Sequence, residues 1–236
     1  MPKFQFFSKI NFQNITFIVL ILITSLIILI SDVTETNSNS TDLSKKPLTG
    51  INLTEFDLSN KDLTGVNLTG IDLSNMDLTG TVLTNANLTG VNLSGSNLNR
   101  AILSNANLAK VDLRNLDLTG VNFENNEDSL INKDLTGVLL NNANLSGANL
   151  TGVNLSSANL SEANLSGSNL TKANLSNTNL TEASLLRANL SGANLINANL
   201  NGIILNHANL TDSILSGVDL SNKDLTGVNL TGIDLS

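Results

Sequence analysis

Glu124, Glu127 and Asp128 put three carboxylates within five residues, the one such acidic cluster in the body of this chain. Oxygen ligands at that density suit calcium, which outside a cell is abundant enough to be held this way. The spacing matches no full calcium loop, because the turn glycine and the remote bidentate glutamate are missing, so the expected state is a solvated acidic bulge. His207 is the single histidine and there is no cysteine. Neither a thiolate nucleophile nor a zinc cluster can be assembled, and a lone imidazole has no partner to orient it as a general base. Thr-Gly and Ser-Gly pairs recur without a following Lys-Ser/Thr, so they read as turns and not as phosphate cradles. The residue types point to a chain that is not an enzyme and takes no metal or cofactor.

What positions these groups is a ladder of leucines. From Leu43 the chain places Leu at every fifth position through Leu48, Leu53 and Leu58 to Phe123; after a two-residue slip at 124–130 the ladder resumes at Leu130 and runs to Leu235. A helix needs apolar spacings of three and four and a strand needs two, so a strict five fits neither. A short extended piece followed by a turn, repeated, does fit. With the rung residue as i, the template is small or apolar at i−2, Asn or Asp at i−1, Leu at i, Ser or Thr at i+1, and often Gly or Asn at i+2. Ala148-Asn149-Leu150-Thr151-Gly152 shows it in full. Positions i−2 and i share one face while i−1 faces away, and Gly or Asn at i+2 bends the chain at low cost. A unit this small cannot bury its apolar side chain alone, so the period predicts a stacked solenoid.

The template resembles the pentapeptide repeat family, whose motif is A(D/N)LXX, over residues 41 to 236. The resemblance implies an all-β fold, a right-handed quadrilateral β-helix with four pentapeptides per coil and Leu stacked on Leu inside. At the ~4.8 Å spacing of adjacent strands, roughly ten coils make a rod on the order of 45 Å long. Residues 57 to 74 and 219 to 236 are identical, DLSNKDLTGVNLTGIDLS. Their offset equals whole coils of twenty plus the slip, which supports four sides per coil and growth by duplication. Composition agrees with so thin a core: no Trp, no Tyr, and seven Phe, most of them before residue 18.

The first part of the chain is different in kind. Lys3 and Lys9 precede an uncharged stretch from Ile10 to Ser31, centred on the apolar run Phe17 to Ile30. This reads as one N-terminal hydrophobic helix. The length suits a membrane anchor over 1–31, while the strongly apolar part is nearer a signal h-region without an A-x-A-like site; a buried cap helix is the third reading. Lysines on the N-terminal side place the rod outside the cytoplasm. Residues 32–46, rich in Ser, Thr, Asn and Asp, read as a polar flexible tether, and the repeat domain occupies 47–236.

Departures from the template are the candidate contact sites. Val82, Ile102, Leu139, Ile204 and Ile214 replace the outward Asn with an apolar residue. Four rungs per coil stack Val82 on Ile102, and Ile204 joins them if the slip is absorbed at a corner. The same register places Asp57, Asp77 and Asp117 on one face, and Asp72 and Asp112 on the next. Lys61, Lys133 and Lys223 stand at the inward i−2 position, all in the phrase Asn-Lys-Asp-Leu-Thr-Gly-Val. An unpaired ammonium in an apolar core is costly, so each is expected to run outward to water. Asn-x-Ser/Thr triplets follow automatically from the template and carry little information.

Three functional expectations stand. The first is a non-catalytic rod, tethered through residues 10–31 or secreted, that makes structural or protein contacts. The second comes from the resemblance, whose best-known activity is DNA mimicry by an acidic rod that occupies a topoisomerase. It needs a cytoplasmic protein and dense carboxylates, whereas most i−1 positions here are Asn. The third is a flat-face binder of ice or polysaccharide, which needs one face nearly all Thr; along the sequence Ser and Thr alternate without evident segregation. The formal charge of −8 disfavours direct binding to nucleic acid phosphates. With the chain ending in mid-template at Ser236, end-to-end self-association through an open coil is the other expected contact.

Overall fold

The computed structural model describes Leu53, residues 56–127 and residues 130–235. The chain divides into two units, Met1–Lys46 and Pro47–Ser236, and the repeat rod is the second. The expected N-terminal helix, the tether, and Asp128 of the acidic cluster lie outside the described residues.

A pentapeptide that follows the template satisfies its five N–H groups in a fixed way, and this is why the template reads as it does. The i−2 N–H closes a turn onto the rung carbonyl three residues back, as from Ala86 to Leu83 at 3.0 Å. The i−1 N–H donates to the i−2 carbonyl of the coil before it, as from Val82 to Lys61 at 2.9 Å. The rung N–H donates to the i−1 carbonyl of the coil after it, as from Leu63 to Val82 at 2.7 Å, and the i+2 N–H to the next i+1 carbonyl, as from Gly65 to Thr84 at 2.8 Å. The fifth donor, at i+1, turns outward and is accepted by the side chain of the i−1 Asn or Asp, as from Thr69 to Asn67 Oδ1 at 3.1 Å. Asn and Asp therefore act as local caps as well as solvent-facing residues.

Residue i+2 takes positive φ at every corner among the described residues, from Asn125 at 53° to Gly217 at 72°. This is the third residue of a type II turn, where Gly and Asn are favoured. The corner side chain of one coil lies across the glycine of the next: a Cβ added to Gly217 would overlap the Asn197 amide, and one added to Gly152 would overlap Asn132. At such corners the glycine gives room to the side chain of the coil before it, whereas Gly90 and Gly167 have nothing against them.

Parallel bridges join residues twenty apart, from Asp62–Val82 through Asn87–Asn107 to Ile214–Asp234. Four pentapeptides per coil, which the resemblance implies, is the observed register. Across the slip the step becomes twenty-two, at Asp117–Leu139 and Asn122–Asn144, and then returns to twenty at Asp134–Asn154. The interior is filled by the rungs, with Leu73, Leu103, Leu145, Leu165 and Leu185 fully buried, and by i−2 Ala, Val and Ile between them. Polar i−2 residues are satisfied by carbonyls: Thr81 and Thr178 hydroxyls donate to Leu58 and Leu155 of the preceding coil at 2.9 and 3.0 Å.

Candidate functional site

The bridges sort the outward i−1 positions into four faces. Face A carries Asp57, Asp77, Asn97, Asp117, Leu139, Asn159, Asn179, Asn199 and Asp219; face B carries Asp62, Val82, Ile102, Asn122, Asn144, Asn164, Ser184, Ile204 and Asp224. Face C is Asn throughout its described bridged positions, from Asn67 to Asn229. Face D runs from Asp72 through Asp112 and Asp134 to Ile214 and Asp234.

Asp57, Asp77 and Asp117 share face A as the spacing requires. Asp57 and Asp77 are exposed and Asp117 is half-buried. The acidic column extends further than the rung residues show, because Glu162 and Glu182 are exposed at the corner between faces A and B, and Asp219 continues the column. Arg100, at the same corner, interrupts it. Val82 and Ile102 are bridged to each other on face B, and an unbroken series of bridges from Ile102 through Asn122, Asn144, Asn164 and Ser184 reaches Ile204. The slip is absorbed without changing faces, so all three apolar residues lie on one side. Leu139 falls on face A and Ile214 on face D, away from this stripe.

Leu186 is a contact residue that the template does not signal. It stands at i+1 on face B, one coil before Ile204; the two are exposed by 36% and 46%. Losing an Asx cap has a consequence that the template does not signal either. Where Val82, Ile102, Ser184 and Ile204 occupy i−1, the outward N–H groups of Thr84, Ser104, Leu186 and Asn206 have no acceptor among the described residues. Face B concentrates such groups. The signal is present in the sequence as missing Asn residues, but their meaning depends on which N–H the Asn side chain serves.

Two expectations are corrected. Lys133 does not run outward: it is half-buried, and its Nζ donates to the carbonyls of Leu108 and Val111, both at 2.8 Å. Burial lowers its pKa, partly opposed by the Asp112 carboxylate. Lys61 is exposed and Lys223 is half-buried. Second, Ser and Thr do segregate once the coils are stacked. Face C places Thr69, Thr89, Thr151, Thr171, Thr211 and Thr231 at i+1, broken by Ala109, Ile131 and Ser191, whereas face D is mostly Ser. On face C these hydroxyls donate to the neighbouring Asn Oδ1, at 2.6 Å for Thr171 to Asn169 and 2.7 Å for Thr151 to Asn149.

Several carboxylates are held below their ordinary range by the residue two positions on. The hydroxyl and N–H of Ser59 lower Asp57, Thr79 lowers Asp77, and Thr136 lowers Asp134. Asp112 falls to about 2, chiefly through hydrogen bonds from the Arg114 side chain and backbone, with Nη2 2.6 Å from Oδ2. A carboxylate whose folded pKa is depressed contributes stability above its unfolded value of 3.8 and loses it as pH falls through the folded value. The thermal midpoint is therefore expected to be level from pH 7 to about 5 and to fall between about pH 4 and 2. Asn at Asp72, Asp112 and Asp134 keeps the cap oxygen and should flatten that fall, as scanning calorimetry at each pH would show.

His207 occupies an αL corner at φ 60°. Among the described residues no group of three His, Cys, Asp or Glu is placed to hold a metal. Glu124 and Glu127 are exposed. No helix among the described residues is long and apolar enough to cross a membrane, and residues 10–31 lie outside them.

The pattern that defines the pentapeptide repeats matches in 8 copies, over residues 48–85, 86–125, 129–167, 158–195, 168–206 and 203–236. The chain belongs to the pentapeptide repeat family. Similar solved pentapeptide repeat proteins include HetL of Nostoc sp. strain PCC 7120, described as involved in heterocyst differentiation regulation, at 33% identity over 75% of this chain and 86% of that one, with a TM-score of 0.48. QnrB1, a plasmid-mediated fluoroquinolone resistance protein, is 24% identical over 76% of this chain and 84% of its own, with a TM-score of 0.42. A pentapeptide repeat protein of the Arabidopsis thaliana thylakoid lumen is 32% identical over 47% and 69%, with a TM-score of 0.32. No curated protein matches the chain. Members of the family are generally structural or interaction proteins and not enzymes, in keeping with the residue types here.

Proposed function

We propose that this pentapeptide repeat chain is a non-catalytic interaction rod, held at a membrane through residues 10–31 with the repeat domain outside the cytoplasm. One observation carries the interaction reading: the interior is closed by stacked Leu, and the outward faces differ from one another in the residues they display. A rod of this kind offers no substrate cleft, but it displays different chemistry on each side along roughly nine coils. The uncharged stretch behind Lys3 and Lys9 supports the tether. Protease added to intact cells should remove an epitope tag placed after Ser236. Protection in intact cells with loss after lysis would overturn the placement outside.

The acidic column on face A favours a second reading, an acidic inhibitor of a nucleic-acid-binding enzyme such as a topoisomerase. Asp57, Asp77, Asp117, Glu162, Glu182 and Asp219 line one edge and would face a basic groove. Inhibition of DNA supercoiling by the purified chain, lost on reversing Asp77, Asp117 and Glu162 to Lys, would select this reading. No inhibition leaves the first.

A further inference from the structure

We propose that face B is a self-complementary surface through which two copies of this chain pair side by side, with their rods parallel. Three separate features meet there. Val82, Ile102, Leu186 and Ile204 supply apolar side chains on one face, Leu186 and Ile204 being the most exposed of them. Thr84, Ser104, Leu186 and Asn206 supply outward N–H groups that the rod itself leaves without acceptors among the described residues. Finally, one coil of the face carries opposite charge on its two edges, Glu182 at the corner where the chain enters it and Arg187 at the corner where it leaves, with Glu162 one coil earlier on the entering edge and Arg100 further back along it. Neither Glu182 nor Arg187 makes an ion pair within its own rod among the described residues.

The Glu182 and Arg187 edges and the placement of Leu186 and Ile204 together select the occupant and its orientation. A two-fold axis parallel to the rod keeps each coil at its own height and exchanges the two edges. Glu182 of one copy then meets Arg187 of the other, and the pair occurs twice. An i−1 residue of one copy faces i+1 of the same coil in the other, so Asp62 meets Thr64, Asn122 meets Glu124 and Asp224 meets Thr226, with no like charges opposed. Leu186 of one copy lies beside Ile204 of the other, and Ser184 Oγ faces the uncapped N–H of Leu186. A full antiparallel overlap sets Glu182 against Arg100 but places Leu186 and Ile204 opposite the less exposed Ile102 and Val82, so it parts the two most exposed apolar residues that the parallel pairing brings together.

The face is roughly 10 Å wide and about nine coils of ~4.8 Å long. It buries on the order of 900 Å² in total, at the low end for specific contacts, so the pairing is weak in dilute solution. Copies tethered to one membrane already share the parallel orientation and a raised effective concentration. The pairing does not depend on the tether.

The chain has no cysteine, so single cysteines report the contact directly. The full chain carrying Ser184→Cys, at several hundred micromolar (about the range a weak contact needs), should form covalent dimers with a short bis-maleimide. The same chain carrying Asn194→Cys on the opposite face D should not. Arg187→Glu should lower the Ser184→Cys dimer yield roughly tenfold, and Glu182→Arg with Arg187→Glu should restore it. Equal yields from faces B and D, absence of dimer from face B, or a double reversal no better than the single one would each overturn the proposal. None of these outcomes bears on which side of the membrane the rod stands, which the tag assay reads separately.

Discussion

Leu165→Ala is expected to destabilise the rod by roughly 2–5 kcal/mol, the range for emptying a fully buried leucine site. Leu165 is 0% exposed and lies in a column between Leu145 and Leu185, also at 0%. Leu160, Leu170 and Leu175 fill the coil from its other sides, and the backbone is fixed by ladder bonds, such as Leu165 N–H to the Ser184 carbonyl at 2.7 Å. Little can move inward to fill the space, so the upper half of the range applies. A solenoid gains its stability from contacts between neighbouring coils, so a void in mid-rod also weakens the junction between two halves. Urea unfolding of the variant should therefore show a lower midpoint and a broader transition. Ile204→Ala, at a site 46% exposed, should cost under about 1 kcal/mol. Equal losses from the two variants would mean that the rung column is not the main apolar core.

Much of this architecture is legible in the sequence because a five-residue period with four units per coil converts sequence distance into spatial adjacency. The stacking of Val82 on Ile102, the grouping of Asp57, Asp77 and Asp117, and the alignment of Ile204 across the slip all follow from counting. What counting leaves out is the direction of individual hydrogen bonds. Asn at i−1 reads as a solvated residue until the outward N–H at i+1 is seen to need it; only then do Val82 and Ile204 mark uncapped backbone as well as exposed methyl groups. Leu186 is hard to single out because i+1 tolerates many residue types. The Thr of face C is hidden by the linear order, in which four faces interleave. Corner charges are hidden for the same reason: Glu162 and Glu182 are i+2 residues, outside the i−1 positions where the acidic column begins.

Lys133→Met is expected to cost roughly 1–3 kcal/mol, the penalty for leaving a buried carbonyl without a donor, while Lys61→Met should stay within about 0.5 kcal/mol. In a regular coil the Val111 carbonyl would accept the next i−1 N–H, as Ala101 accepts Asn122 at 2.9 Å. The slip changes that step, and among the described residues the Asp134 N–H makes no such bond to Val111. The Lys133 ammonium stands in for it and also reaches Leu108, the kind of rung carbonyl that Thr81 and Thr178 satisfy elsewhere. Methionine fills a similar volume but donates nothing, so the loss isolates the hydrogen bonds from the packing. The comparison is unusually clean because Lys61 and Lys133 lie in the same heptapeptide, Asn-Lys-Asp-Leu-Thr-Gly-Val. Any difference must come from the neighbouring coil and not from local sequence. Urea midpoints for the two variants, together with trypsin cleavage at the adjacent Arg114, provide the measurement. Equal stability losses, or unchanged cleavage in Lys133→Met, would show that the slip closes without the ammonium; a loss confined to Lys133 would identify this side chain as what lets a two-residue insertion sit inside an otherwise continuous ladder.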